Sequence, residues 1–238
     1  MNGKLSHQES LNATRPLKDI SKAFKSLKNN AKLTYQDLEV LRTFIDEFTT
    51  VTTHPETVGN DVSRIVREVN CHHHTHTCQK YSDTCRFDFP KYPTPETIIA
   101  TPASGKSEDV DKLLLKNKAT LKKVKDVLLD DNQLKQILEE FDKDTENAGN
   151  EYKRNREERI RLLLEKAKVT FEDYITALKT TKSGYKVFLA RDIDETMINN
   201  FNVEWIRAWN GNMDIQICLD FHAAVSYTHL TLPTICSV

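Results

Sequence analysis

The sequence predicts an α+β protein, helix-rich, in which two blocks of amphipathic helix enclose a loop of unusual composition. Three observations lead there. Apolar residues recur at helical spacing over 34–69 and 110–178, the period that places one face of a helix against a core. Between these blocks, residues 70–104 are rich in His, Cys and Pro, and Pro90, Pro93, Pro95 and Pro102 exclude a long helix there. Beyond residue 183 the period changes to the alternation expected of strands.

The elements follow in order. Residues 1–34 are basic, with seven Lys or Arg against Glu9 and Asp19, and sparse apolar residues predict a poorly ordered segment. Thr34 and Asp37 form a capping-box pair ahead of Leu38, Leu41, Phe44, Ile45 and Phe48. Asn60 to Val69 reads as a second short helix, with Val62, Ile65, Val66 and Val69 inward, completing a helical lead-in over 35–70. Over 105–182 the chain is charged and helical. Val110, Leu113, Leu114, Leu121, Val124 and Leu128 mark one stripe, Leu134, Ile137, Leu138 and Phe141 a second, and Ile160, Leu163, Leu164 and Ala167 a third. The polar stretch Asp142 to Arg156 reads as a hinge, and Thr170 with Asp173 caps a further helix bearing Tyr174, Ile175 and Leu178. Over 183–224, Ser183-Gly184 signals a turn. Val187 and Leu189 alternate as in a strand, Trp205, Ile206 and Trp209 suggest a short helix, and Ile215, Ile217 and Leu219 alternate as in a second strand.

Composition bounds the function. The net charge of −1 leaves any nucleic-acid affinity to local patches. No apolar run is long enough to span a membrane, and Met1 to Arg15 lacks the apolar region of a secretory signal. A nuclear or cytoplasmic location is expected. In such a compartment, three Cys within residues 71–85, interleaved with four of the eight His, point to metal rather than disulfides.

The metal-binding segment is Cys71-His72-His73-His74-Thr75-His76-Thr77-Cys78, followed by Cys85-Arg86-Phe87-Asp88-Phe89-Pro90. Zinc takes four tetrahedral N or S ligands. His72 and His74 share one side of an extended backbone, and the loop from Cys78 to Cys85 can fold back onto one ion. The economical set is therefore His72, His74, Cys78 and Cys85, with Cys71, His73 and His76 as alternates. Four protein ligands leave no open position, the pattern of a structural zinc. Lys80, Arg86 and Lys91 lie among Tyr81, Phe87, Phe89 and Tyr92 and are the candidate nucleic-acid contacts. Phe87 and Phe89 are read as packing beneath the loop.

Two blocks resemble a known family. His72-x-His74-Thr-x-Thr-Cys78-x-Lys80, Cys85-Arg-Phe-x-Phe-Pro90 and Pro95-Glu-Thr-Ile-Ile99 form the first. Gly184-Tyr-Lys-Val-Phe-Leu-Ala-Arg191, Ile198-Asn-Asn200 and Ala208-Trp-Asn-Gly-Asn-Met-Asp-Ile-Gln216 form the second. Together, over 40–224, they resemble the replicase region of Helitron-type rolling-circle transposons. The resemblance implies part of an antiparallel HUH-type sheet flanked by helices, within a parent that pairs a DNA-nicking endonuclease with an ATP-dependent DNA helicase. It implies single-stranded DNA as the partner, and a catalytic divalent metal and ATP in the parent only. No His-hydrophobic-His motif occurs in residues 1–70 and no Gly-x-x-x-x-Gly-Lys-[Ser/Thr] occurs anywhere, so no catalytic residue is assigned. Residues 225–238, beginning Val-Ser-Tyr-Thr-His-Leu-Thr-Leu-Pro-Thr, resemble one reading frame of a sequencing-library adapter. They are set outside the fold, Tyr227 with them, and native chain is expected to continue beyond Ala224. The expected role is zinc-stabilised DNA positioning by a fragment of a rolling-circle replication initiator. The alternatives are a free-standing zinc-bearing protein-interaction module or a decayed transposon remnant.

Overall fold

A computed structural model describes residues 18–27, 32–80, 84–146 and 156–219, with backbone only over 140–146. The expectations for residues 1–17 and 225–238, and most of the expected hinge, lie outside these residues. The fold is mixed α/β, with helices around a small three-stranded sheet.

Helix α1 (18–27) occupies part of the basic segment expected to be poorly ordered. Its Ala23 is fully buried, and Ala23, Leu33 and Leu41 form a small cluster, which is enough to dock it. Helix α2 (Tyr35–Phe48) begins at the expected capping box: the Thr34 hydroxyl accepts from the Asp37 amide, and the Asp37 carboxylate accepts from the Thr34 amide. Short helices α3 (Pro55–Val58) and α4 (Asn60–Ile65) follow, and α4 runs on as a π-helical turn, Val66–Asn70.

Strand β1 (Ile98–Pro102) lies in the segment expected to lack regular structure. Pro95 and Pro102 punctuate it, but the β-branched run Thr97-Ile98-Ile99 between them favours extended backbone. Helices α5 (Ser107–Leu128), α6 (Asp131–Glu146), α7 (Arg156–Ala167) and α8 (Phe171–Lys179) come next, with Thr170 capping α8 as expected. Strand β2 (Thr180–Thr181) pairs parallel with β1. Gly184, at φ 67°, makes the turn into β3 (Lys186–Phe188), which pairs antiparallel with β1. A 3-10 turn (Ile193–Glu195) and α9 (Val203–Trp209) complete the order. The sheet order is β2-β1-β3, and its pairing is mixed rather than purely antiparallel.

The strand expected over 215–219 is not part of the sheet. Residues 212–219 are extended, with Met213, Ile215, Ile217 and Leu219 turned inward in alternation. Their backbone bonds go elsewhere. Ile215 exchanges bonds with Asn200, through its amide to the Asn200 carbonyl (2.9 Å) and its carbonyl to the Asn200 side chain (3.0 Å). The Met213 amide donates to Asn70 Oδ1 at 2.7 Å.

β1 divides the core. Ile98 joins the cluster of α5–α8, with Val124, Leu128, Ile137, Ile160, Leu163, Leu164 and Tyr174. Its neighbour Ile99 points to the opposite face, against the α2–α4 and α9 cluster of Ile45, Val51, Val62, Val66, Phe201 and Ile206. The Tyr174 hydroxyl, fully buried, donates to the Pro93 carbonyl at 2.7 Å and ties α8 to the chain entering β1.

Removing that hydroxyl leaves a buried carbonyl without its donor, so Tyr174→Phe should cost about 1–3 kcal/mol in urea unfolding. At α2, Thr34→Ala should cost about 1 kcal/mol at neutral pH. The bonds from Thr34 hold the Asp37 carboxyl below its ordinary range. A carboxyl lowered on folding stabilises above its unfolded value, about 4, and that contribution is lost as the pH falls through the folded value. Between about pH 5 and 2 the unaltered chain should therefore lose more stability than Thr34→Ala.

Candidate metal centre

The loop begins where the π-helical turn ends. Cys71 bridges to Ile198, and the His72 amide donates to the Met197 carbonyl at 2.7 Å. The loop returns at Lys91, whose amide donates to the Thr196 carbonyl at 2.7 Å. Both ends of 72–91 are therefore held on adjacent carbonyls of one turn.

Within the loop, backbone bonds shape the site. His72 and His74 lie two apart on irregular backbone, with their rings crossing at 81° and centroids 5.1 Å apart. A turn over 75–80 follows, in which the Cys78 amide donates to the Thr75 carbonyl at 3.0 Å. The Thr75 amide points back at Cys78 Sγ at 3.3 Å, a donor suited to a thiolate. The Arg86 amide donates to the Cys78 carbonyl at 2.9 Å, which brings Cys85 alongside.

The outcome is one cluster. The ligand atoms of His72, His74, Cys78 and Cys85 lie within 4.8 Å of one another. Cys85 Sγ is 3.3 Å from His72 Nε2, and Cys78 Sγ is 3.6 Å from His74 Nδ1. A tetrahedral ion with Zn–N and Zn–S bonds of ordinary length sets its N and S ligands about 3.6 Å apart, the separation of the Cys78–His74 pair and close to the 3.3 Å of the Cys85–His72 pair. Cys78 is buried, His72 and Cys85 are half-buried, and His74 is exposed. Burial, reinforced by His74, His73 and Lys91, lowers the His72 pKa and favours the neutral ring that ligates metal.

The alternates stand outside this group. His73 and His76 are exposed. Cys71 packs against the α4 cluster, and burial raises its thiol pKa, with Arg67 opposing.

Phe89 packs beneath the loop as expected: it is buried and stacked on His72 at 4.4 Å between centroids. Phe87 does not. It is 43% exposed, with the Arg86 guanidinium 4.5 Å from its ring centre. Lys80 is exposed on the 75–80 turn. Lys91 turns inward, with its ammonium on the Phe87 carbonyl and 4.7 Å from the Phe89 ring centre, and burial lowers its pKa.

One anchor was not foreseen from the sequence. Lys125 of α5 donates to the Asp88 carbonyl at 2.9 Å and to the Asp88 carboxylate at 3.0 Å, and it also reaches the Pro90 carbonyl. Asp88 adopts φ 62°, and its position in Phe-Asp-Phe-Pro is the one signal of a tight turn that the sequence offered.

The fold and site thus define a mixed α/β protein carrying a two-His, two-Cys group that could hold a metal ion. No family model matches the chain, and no curated protein or solved structure is detectably similar to it. Among the described residues, no helix is long and apolar enough to cross a membrane.

The geometry makes the ligand set testable with cobalt(II), whose visible absorption reports tetrahedral thiolate coordination. The chain should bind one ion. Cys78→Ser and Cys85→Ser should each weaken binding and alter the thiolate charge-transfer band, whereas Cys71→Ser should leave both unchanged. A protein that folds and binds no metal would remove the assignment.

Proposed function

We propose that the 71–91 loop holds one structural zinc ion and presents a single-stranded DNA contact within a Helitron-like rolling-circle replication initiator. The observation that carries the reading is the clamp itself. Two imidazoles and two thiols meet on a loop that has little regular structure of its own, and an exposed aromatic ring under a guanidinium sits at its edge. Zinc binding would rigidify that edge, because the ion's binding energy becomes folding energy for a segment without a core.

Each group then has a role. His72, His74, Cys78 and Cys85 hold the ion. Phe87 offers its face to a base, and Arg86 and Lys80 offer charge to the adjacent phosphates. Lys91 acts indirectly, by fastening the Phe87 carbonyl from within. The resemblance over 40–224 supports the wider assignment, in which β1 and β3 belong to an HUH-type sheet. The nicking and ATP-hydrolysing groups of such an initiator would lie outside the residues assigned here.

A second reading, a protein-interaction module, is favoured by one observation: Trp205 and Trp209 of α9 are 53% and 70% exposed. Large exposed aromatics are common anchors in protein interfaces.

Fluorescence anisotropy with an oligothymidylate separates the two. The zinc-loaded chain should bind it, and binding should weaken as salt rises. Phe87→Ala should cost about 1–3 kcal/mol of affinity. Chelation should weaken binding while the helical circular dichroism is kept. A metal-loaded chain that ignores the oligonucleotide would leave the interaction module as the better reading.

A further inference from the structure

Helix α5 carries a charge pattern that the loop alone does not use. From Lys116 to Lys125 there are five Lys and no acidic residue. Two of these are engaged: Lys116 pairs with Asp173 at 2.7 Å, and Lys125 pairs with Asp88 at 3.0 Å. Lys118, Lys122 and Lys123 are exposed and make no ion pair among the described residues.

The helical period sorts these lysines. At about 100° per residue, Lys118, Lys122 and Lys125 fall within about 60° of one another on one stripe, while Lys112, Lys116 and Lys123 fall on another. Lys118 to Lys125 spans about 10 Å of helix axis. The first stripe therefore ends at the lysine that grips Asp88, the residue after Phe87. Two unpaired cations thus lie along a line that leads to the exposed ring and guanidinium of the loop.

We propose that the path of a single-stranded DNA bound at Arg86 and Phe87 continues along this stripe of α5, with Lys118 and Lys122 contacting its backbone phosphates. The proposal rests on the DNA-binding reading above and adds to it a second element and a direction. Lys125 is the joint between the two parts. Its ammonium meets carbonyl and carboxylate oxygens rather than solvent, so it positions the loop against the helix and leaves the phosphate contacts to Lys118 and Lys122. A row of cations serves such a ligand because backbone binding to single strands draws on released counterions and needs no base readout.

The test uses the full zinc-loaded chain, a fluorescent oligothymidylate and a range of salt concentrations. Lys118→Gln/Lys122→Gln should weaken binding and make the plot of log affinity against log salt shallower by about 1.4, about 0.7 for each phosphate no longer neutralised. Lys106→Gln/Lys112→Gln removes the same charge away from the stripe and should leave the slope unchanged. Both pairs are exposed, so zinc content and circular dichroism should not change. If the unaltered chain binds and both pairs behave alike, the stripe does not touch the strand, and this inference falls while the loop reading stands. If the unaltered chain does not bind, both fall. Displacement of the oligonucleotide by poly-glutamate of matched charge would make the stripe an acidic-protein surface and overturn the DNA path.

Discussion

A buried guanidinium holds the halves of this protein in register. Arg191 is 3% exposed, and its side chain donates to the carbonyls of Glu195 and Ile198 and to the Asn200 side chain. Its backbone exchanges both bonds with Thr94. A charge this deep is tolerable only when its donors are satisfied. Burial still lowers its pKa to about 10, with Glu195 and Asp214 opposing that shift. The neighbouring Glu195 carboxylate, fully buried, accepts from the amides of Thr53 and Asp192. Asp192 in turn meets Arg159 of α7 at 3.0 Å. One short segment, 191–200, thereby fastens the lead to β1, the start of α3, the helix α7 and the 212–219 extension. The turn it defines also supplies the carbonyls on which the metal loop is hung.

This arrangement explains why residues 199–212 are rich in Asn. Asn199 exchanges bonds with Asn70 and reaches Asn212, Asn200 pairs with Ile215, and Asn202 caps α9 while donating to the Phe48 carbonyl. Side-chain amides both donate and accept, so they can stand in for a missing strand partner. The 212–219 extension is held by them in place of a ladder.

The helices were legible because their signals are local. Thr34 with Asp37, Thr170 with Asp173, and the stripes of α5, α7 and α8 each need only a few neighbouring residues to be read. The strands were legible only in part. Alternation over 187–189 gave β3, but the same signal over 215–219 gave an extension outside the sheet, because alternation reports a half-buried extended chain and not what it pairs with. β1 was hidden among prolines. At the metal site, spacing selected the residues that the fold brings together, since a loop between Cys78 and Cys85 is itself local. Arg191 and Lys125 were not legible. Their roles depend on partners far along the chain, and a lone Arg or Lys in sequence looks like surface.

The anchoring of 72–91 on two adjacent carbonyls makes the loop an excursion with closed ends. The entropy of bringing those ends together is offset by the turn that carries both carbonyls. The loop's returning limb is tied as well, by Lys125 to Asp88 and Pro90 and by the buried Phe89, so a change of length there would pull directly on α5.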